Sequence, residues 1–174
     1  MSAEASPDLT PEQRRALSRT PRQCLRHGFM QALPFILVLL PFGMLFGVVA
    51  SDAGLDLGKT MGFTVLVLAG ASQFTAVQLL SDHAPALIVV ISAVAVNLRM
   101  AMYSASLVPW LGTAKPRDRA WVSYVLIDQT YALAIQHFER NPGLSIPQRL
   151  GYFLGAALAT CVPWFAAAAL GAVM

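Results

Sequence analysis

Long apolar stretches separated by short polar ones form the dominant pattern along this chain of 174 residues. Each stretch is close to the roughly 20 apolar residues that an α-helix needs to cross the hydrocarbon core of a membrane. The stretches also lack the short apolar–polar alternation of a transmembrane barrel strand. We therefore predict an all-α, polytopic transmembrane helical protein with about five hydrophobic segments, some of them broken or re-entrant. The segments lie near 29–50, 60–80, 86–109, 120–137 and 150–172.

Composition agrees with a membrane protein and excludes two other classes. The chain is 56% hydrophobic and 12% charged, whereas a soluble domain carries about 25% charged residues. Intrinsic disorder is excluded because it requires low hydrophobicity together with high charge. A net charge of +3, with basic residues that are not spread over a polar surface, argues against nucleic-acid binding. The expected partner is therefore the lipid bilayer and not a nucleic acid.

Residues 1–27 are polar and basic, in contrast to the transmembrane domain predicted for residues 28–174. Thr10 and Gln13 fit the start of a helix, with Thr10 as the N-cap and Gln13 reaching back to it. We expect a short polar helix here, ended by Pro21. Because a cluster of arginines precedes the first hydrophobic segment, we predict a cytoplasmic N-terminus.

The loop at 110–119 conflicts with a simple topology. If the N-terminus is cytoplasmic and all segments cross completely, this loop lies outside, although it contains Lys115, Arg117 and Arg119. Basic loops normally stay in the cytoplasm. Two alternatives are open: five full crossings, or a middle segment that enters and leaves the membrane on the same side. No internal repeat is evident in the sequence.

Two charges lie inside hydrophobic segments. Arg99 is near the middle of the third segment, and Asp128 is central in the fourth. Each costs roughly 2.5–3.5 kcal/mol on membrane-insertion scales, and such residues usually have a function. Their opposite signs in neighbouring segments predict either an ion pair that fixes helix packing or the two poles of one polar binding site.

Small polar and helix-breaking residues accompany these charges. Gly70, Ser72 and Gln73 interrupt the second segment, and a half-helix beginning near Gly70 would present a positive end to a carboxylate. Close helix packing is the alternative explanation for the small residues. Packing also explains the two GxxxG motifs, Gly43–Gly47 and Gly151–Gly155, which we assign to helix contacts. The predicted substrate-binding or translocation residues are Asn97, Arg99, Asp128, Gln73, Ser72, Gly70, Pro41 and Gly43.

Motifs of enzyme chemistry are missing from the sequence. It contains no GxSxG, Walker, HExxH or dinucleotide-binding motif, so we predict that the protein is not an enzyme and has no cofactor. Cys24 and Cys161 are isolated and indicate neither a disulfide nor a metal site. His27, His83 and His137 each lie at the edge of a segment, and interfacial placement explains them better than metal binding.

Four motifs follow one another along the chain. They are Leu33-Pro34 with Pro41-Phe42-Gly43 and Phe46-Gly47, then Ala69-Gly70-Ala71-Ser72-Gln73-Phe74, then Asn97-Leu98-Arg99 with Tyr103-Ser104, and finally Ile127-Asp128-Gln129. In this order they resemble the AzlC-type branched-chain amino acid permeases, the large subunit of bacterial branched-chain amino acid exporters. The resemblance extends from about Gly28 to Trp164, and Met100 and Gln129 stand where this family commonly has a histidine and an acid.

The resemblance implies a function and a partner. A member of this family would export valine, leucine and isoleucine by secondary transport across the bacterial inner membrane, together with a small hydrophobic AzlD-type partner subunit. The resemblance also leads us to expect a chain that is shortened at its C-terminus relative to the family. Two other functions are left open: a non-transporting membrane assembly partner or truncated remnant, and a channel for another small solute. The oligomeric state is also open, and a homo-oligomer is one alternative.

Overall fold

The computed structural model describes residues 9–174, which form helices and connecting loops without any strand. The all-α fold predicted from the sequence is therefore confirmed. In chain order the elements are α1 (Pro11–Leu17), α2 (Pro21–Ala32), a 3-10 turn (Leu33–Phe35), α3 (Ile36–Asp52), α4 (Leu57–Leu66), α5 (Gly70–Ser81), α6 (Ala86–Leu111), α7 (Pro116–Tyr124), α8 (Asp128–Arg140) and α9 (Ile146–Ala172).

Within residues 9–174, three helices are long and apolar enough to cross a membrane. The first long helix, Pro21–Asp52, combines α2, the 3-10 turn around Pro34, and α3. The other two are α6 and α9, with 26 and 27 residues. At a rise of 1.5 Å per residue each of these is about 40 Å long, which exceeds the hydrocarbon core of roughly 30 Å.

The first long helix and α9 pack in parallel. Contacts run in the same order along both helices: Gly155 lies against Leu25, and Gly47 lies against Ala168. At both glycines a Cβ atom would overlap the carbonyl oxygen of the opposing residue, so only glycine permits this close approach. The prediction that the two GxxxG motifs make helix contacts is confirmed, and both contacts lie within the chain.

α6 runs antiparallel to these two helices. Near its end, the Trp110 carbonyl oxygen accepts a 2.8 Å hydrogen bond from Arg149 Nη1 at the start of α9. The Arg149 guanidinium also lies over the Trp110 ring, 5.1 Å from its centroid. α6 therefore ends on the side of the membrane where the first long helix begins, which we call the N-terminal side. The opposite side, where α3 ends and α6 begins, we call the far side.

The two remaining segments are broken and do not cross the membrane. α4 and α5 are separated at residues 67–69, and they enter and leave on the far side because α3 ends and α6 begins there. α7 and α8 are separated at residues 125–127, and they enter and leave on the N-terminal side, where α6 ends and α9 begins. We call these units the far hairpin (57–81) and the near hairpin (116–140). Of the two topologies left open by the sequence, five full crossings is wrong.

Each hairpin packs in its own half of the protein. Phe63 of α4 and Phe74 of α5 both lie near Phe46, with ring centroids 6.2 and 5.7 Å away. Phe138 of α8 lies near Tyr152 in the other half, at 6.2 Å. The buried apolar side chains accordingly form two large clusters. One contains residues of the far hairpin and none of the near hairpin, and the other shows the reverse.

The order of elements repeats along the chain. A short half-helix, a three-residue break, a second half-helix and a long helix occur in residues 57–111 and again in residues 116–172. Each element of the second unit follows its counterpart by about 60 residues. The two units enter from opposite sides, as the inverted-topology repeats of many secondary transporters do. Because the residues themselves show no matching repeat, the sequence does not predict this symmetry.

The basic residues lie on one side of this architecture. Every lysine and arginine of the chain except Lys59 and Arg99 belongs to the N-terminal segment, the start of the near hairpin, or the junction of α8 and α9. All of these places are on the N-terminal side. The loop at 110–119 thus shares a side with the basic N-terminus, and its conflict with the positive-inside rule disappears.

α1 forms the short helix predicted for the N-terminal segment. Thr10 Oγ1 accepts a hydrogen bond from the Gln13 backbone N–H at 3.3 Å, and Gln13 Oε1 accepts one from the Thr10 N–H at 3.0 Å. Pro21 differs from the expectation because it begins α2 instead of only ending α1. α2 continues through residues 27 and 28, so the boundary expected there lies inside a helix.

Candidate functional site

Arg99 and Asp128 form an ion pair between α6 and the near hairpin. Arg99 Nη2 lies 3.0 Å from Asp128 Oδ2, which confirms the expected pairing of opposite charges. Arg99 is about half-way along α6, and Asp128 is the first residue of α8. Their side chains are 32% and 41% exposed, so both charges are accessible to a ligand.

The tips of the two hairpins approach each other near this ion pair. Tyr124 Oη, at the end of α7, donates a 2.8 Å hydrogen bond to the carbonyl oxygen of Val65, near the end of α4. This bond joins the two oppositely inserted hairpins. Non-helical backbone at membrane depth is tolerated only where it is buried in protein or lines a cavity. The breaks at 67–69 and 125–127 meet that condition because both contribute to one central site.

A cavity of about 310 Å³, which we call the central cavity, opens beside the ion pair. Small-molecule sites occupy roughly 300–1,000 Å³, so this cavity suits a small solute. Most of its wall is apolar, and the ion pair supplies a polar region. The lining residues come from α3, both hairpin tips, α6 and α9: Val38, Leu39, Phe42, Leu68, Ala69, Gly70, Ala71, Phe74, Arg99, Met100, Ile127, Asp128, Gln129, Cys161 and Trp164.

Extended backbone separates the half-helices at both tips. Val67 and Ala69 have φ angles of −125° and −152°, and α5 then begins at Gly70, as predicted. Ile127 has a φ angle of −124° directly before α8. The Ile127 N–H donates a 2.9 Å hydrogen bond to Thr130 Oγ1, which satisfies one backbone donor at the start of this half-helix. The amino ends of α5 and α8 thus both lie at the central cavity, where the helix macrodipole favours negative charge.

The ion pair leaves two atoms without a hydrogen-bond partner in the part of the chain that the structure describes. These atoms, Arg99 Nε and Asp128 Oδ1, are both buried. An unsatisfied buried polar atom costs about 1–3 kcal/mol, and more when the group is charged. A ligand with one anionic and one cationic group would pair with the exposed parts of the two side chains.

The structure brings three of the predicted site residues together. Gly70, Arg99 and Asp128 line the central cavity. Ser72 does not line it, because its hydroxyl donates a 3.0 Å hydrogen bond to the Ala93 carbonyl oxygen. Ser72 therefore holds α5 against α6, which is the packing role that the sequence left open for the small residues.

Gln73 and Asn97 lie near the central cavity in sequence, without lining it. The Gln73 side chain is fully buried, and neither of its amide atoms has a partner within residues 9–174. Asn97 Oδ1 is likewise buried and has no hydrogen-bond partner within these residues. Buried amide atoms are normally satisfied by protein or by ordered water. A contribution of these two residues to binding stays a prediction.

Pro41 and Gly43 do not line the central cavity, and a contribution of these two residues to translocation stays a prediction. Pro41 is exposed, and α3 continues through it. Gly43 is buried against α9, where a Cβ atom would lie 2.8 Å from Ala167 Cβ. Gly43 therefore serves helix packing, and Pro41 does not divide α3 into half-helices.

Several residues that line the central cavity are not among the residues predicted from the sequence. Phe42, Met100 and Gln129 each adjoin a predicted residue, and that adjacency is the signal that could have identified them. The Trp164 ring covers the start of α5, since a Cβ atom at Gly70 would lie 3.0 Å from Trp164 Cη2. No charge or polar motif in the surrounding sequence marks Trp164 as part of a site.

Comparisons with known proteins identify related membrane proteins. A family model described as AzlC protein matches residues 34–174. An "Uncharacterized membrane protein" of Helicobacter pylori strain J99 is 31% identical over 111 residues, which are 64% of this chain and 48% of that protein. A protein of the same name from Archaeoglobus fulgidus is 27% identical over 146 residues, 84% of this chain and 60% of that protein.

A relative with a more specific name is the inner membrane protein YgaZ of Escherichia coli K12. It is 26% identical over 116 residues, which are 66% of this chain and 47% of YgaZ. The chain therefore spans about half the length of the Helicobacter and Escherichia relatives that it matches. No solved structure matches the chain significantly.

Proposed function

Because this chain belongs to the AzlC family of membrane proteins, we propose that it is a subunit of a secondary transporter that exports branched-chain amino acids. Family membership implies a transport-related role in a membrane. The proposed substrates are valine, leucine and isoleucine, and the proposed role is transport and not enzyme catalysis. The observation that carries the proposal is the Arg99–Asp128 pair in a mainly apolar cavity between oppositely inserted hairpins.

The central cavity matches the chemistry of a branched-chain zwitterion. The α-carboxylate would pair with Arg99 and lie at the positive end of α5 at Gly70, while the ammonium group would pair with Asp128. The aliphatic side chain would lie against Phe42 and Trp164 of the apolar wall. Binding then replaces one ion pair inside the protein with two pairs to the ligand, so no charge is left unpartnered in the membrane.

The inverted repeat supports transport over static binding. In transporters with such repeats, the substrate binds near the membrane midplane where half-helices end, and one repeat rocks against the other. The central cavity takes lining residues from both repeat units. A relative movement of the two hairpins would therefore open the same site first to one side and then to the other.

For the orientation, our proposal places the N-terminal side in the cytoplasm and the protein in the bacterial inner membrane as a multi-pass protein. The basic residues gathered on the N-terminal side support this orientation, because cytoplasmic segments retain lysine and arginine. The far side carries the turns after α3 and α5, and Lys59 is its lone lysine or arginine in the described chain.

Cysteine labelling is expected to report this topology. In a background where the buried Cys24 and Cys161 are replaced by alanine, Asp82→Cys should react with a membrane-impermeant maleimide in intact spheroplasts. Pro116→Cys should react only after the membrane is permeabilised, since residue 116 lies on the N-terminal side. Five full crossings require the opposite result at both positions, so a swapped pattern would contradict the two re-entrant hairpins.

An uncovered apolar surface on α6 supports a further subunit. Leu87, Leu98 and Met102 are 68%, 62% and 64% exposed, which is typical of side chains that contact lipid or another helix. The proposal includes a small hydrophobic AzlD-type partner, with a homo-oligomer as the alternative. Transport activity is expected to depend on such a partner, which would cover the exposed apolar surface of α6.

Leucine export from loaded cells tests the proposed function. Cells that express the chain with an AzlD-type partner should release preloaded L-leucine several-fold faster than cells with either protein alone. Intracellular D-leucine should compete weakly, because a site with two charged poles and a shaped apolar wall distinguishes enantiomers. Flux without stereochemical preference would instead favour a channel. Absence of flux with every partner would favour a non-transporting assembly protein.

A further inference from the structure

A second cavity, of about 590 Å³, lies on the N-terminal side between α1 and the end of the near hairpin. We call it the vestibule. In contrast to the central cavity, its wall is mainly polar. The titratable side chains that line it include Arg15, Arg19, His27, His137, Glu139 and Arg140.

Hydrogen bonds hold the roof of the vestibule in place. Gln148 Nε2, near the start of α9, donates to the carbonyl oxygens of Leu17 and Arg19 at 2.9 and 2.7 Å. Gln13 Nε2 donates to the Arg140 carbonyl oxygen at 3.0 Å. These bonds fasten α1 and its connection to α2 onto the end of α8 and the start of α9. These hydrogen bonds therefore fix the shape of the vestibule.

Two histidines far apart in sequence meet at the floor of the vestibule. The ring centroids of His27 and His137 are 5.3 Å apart, and His137 stacks on Tyr152 at 3.9 Å with the planes tilted by 9°. Tyr152 Oη in turn donates a hydrogen bond to Gln31 Oε1. His27 Nδ1 is buried and has no partner among residues 9–174. The floor thus presents a fixed imidazole pair with an unused nitrogen.

The charged groups of the vestibule are not paired with one another. Within residues 9–174, Arg15, Arg19 and Arg140 form no salt bridge. The same is true of the two acidic residues that line the cavity, Glu12 and Glu139. With the histidines neutral, the lining carries three positive and two negative charges. This balance suits a ligand with a single carboxylate, and the two acids disfavour a polyanion.

We infer that the vestibule is a second binding site, which takes the carboxylate of an amino acid before that amino acid reaches the central cavity. Arg15, Arg19 and Arg140 supply charge-assisted hydrogen bonds to the carboxylate. Glu139 is available to the ammonium group, and the His27 ring lines the cavity at its floor. The inference rests on the proposed function for the identity of the ligand, while the carboxylate class follows from the vestibule itself.

A packed layer separates the vestibule from the central cavity. Tyr152, which stacks on His137 of the vestibule lining, and Cys161, in the lining of the central cavity, are nine residues apart on α9, or about 13 Å. Ala32, Leu133 and Ala156 pack together in this layer. An amino acid arriving from the N-terminal side would therefore be held while the path to the centre is closed, which raises its local concentration there.

Binding of 4-methylpentanoate tests the inference, because this compound has the carboxylate and side chain of leucine but no ammonium group. The full chain is reconstituted in nanodiscs of neutral lipid and titrated calorimetrically. An Arg99→Leu/Asp128→Leu background removes the charges of the central cavity, so that any remaining carboxylate site lies elsewhere. We expect a single binding site in this background.

Substitutions in the vestibule locate that site. The double variant Arg15→Gln/Arg19→Gln should weaken 4-methylpentanoate binding about tenfold or more, since each substitution removes a charged hydrogen bond to the carboxylate. Arg117→Gln/Arg119→Gln changes two arginines on the same side but outside the vestibule, and it should bind as the background does. Arg140→Gln, on the opposite wall, should also weaken binding and replaces the double variant if that protein fails to fold.

Three results would overturn the vestibule site. These are unchanged affinity in the vestibule variants, leucinamide binding as tightly as 4-methylpentanoate, or displacement of 4-methylpentanoate by phosphatidylglycerol in the nanodisc, which would assign the cavity to a lipid headgroup. Failure of L-leucine export with intact 4-methylpentanoate binding would remove the proposed function and leave the carboxylate site in place. The two proposals can therefore fail separately.

Discussion

The Arg99→Leu and Asp128→Leu single variants are each expected to abolish leucine export and to lower the amount of protein in the membrane. Each variant leaves one charge without the partner that lies 3.0 Å away. An unpaired charge inside a membrane segment costs roughly 2.5–3.5 kcal/mol on membrane-insertion scales, which is a large fraction of the total stability of many domains. Immunoblots of the membrane fraction and L-leucine export assays measure the two effects separately.

The double variant Arg99→Leu/Asp128→Leu separates folding from transport. Membrane insertion should return to about the wild-type level, because two leucines leave no unpaired charge inside the membrane segments. Export should stay at background, because neither pole of the zwitterion has a partner. Lys59→Leu is the control, since it removes one member of the exposed Asp56–Lys59 pair of 2.8 Å, and exposed ion pairs contribute little to stability. Normal export by the double variant would show that the internal pair only fixes helix packing.

Gly155→Ala is expected to force α9 away from the first long helix. The new Cβ atom would overlap the carbonyl oxygen of Leu25, and backbone cannot move aside as a flexible side chain can. Overpacking of this kind costs typically about 1–3 kcal/mol. For a chain of this size, such a loss lowers the midpoint of thermal unfolding by about 2–12 °C, which size-exclusion chromatography after heating would detect.

Gly62→Ala is the control for the glycine substitution. Gly62 lies in α4, and no atom would come within 4 Å of a Cβ atom there. The same chemical change should therefore be neutral or stabilising by up to about 1 kcal/mol, because alanine favours a helix more than glycine does. An equal loss of stability in both variants would contradict the close approach of α9 and the first long helix.

Local chemistry makes the centre of the site predictable from sequence. A charge in an apolar segment has few alternatives to a partner of opposite sign, so Arg99 and Asp128 could be paired from their positions alone. Gly70 opens a run of small and polar residues, and this run is sufficient to indicate the start of a half-helix. The lengths of the apolar runs likewise indicate helices that reach into a membrane.

The side on which a segment leaves the membrane is not a local property. The far and near hairpins each contain about as many residues as a crossing helix, and only the directions of α3, α6 and α9 show that both turn back. Trp164 and the His27–His137 pair depend on contacts between residues far apart in sequence, which no spacing rule predicts. Pro41 shows the converse: proline favours a break, yet α3 continues through it.

Ribosomal synthesis delivers the first long helix well before the helix that covers it. Leu25 and Gly155, which touch in the folded protein, are about 130 residues apart. At about 5–20 residues per second, the first helix waits roughly 6–26 s in the membrane before its neighbour is made. During this time its glycine-lined face is open to lipid and to helices of other chains. Arrival of α9 is therefore the closing step of biogenesis, and a nascent chain released before it would keep that face exposed.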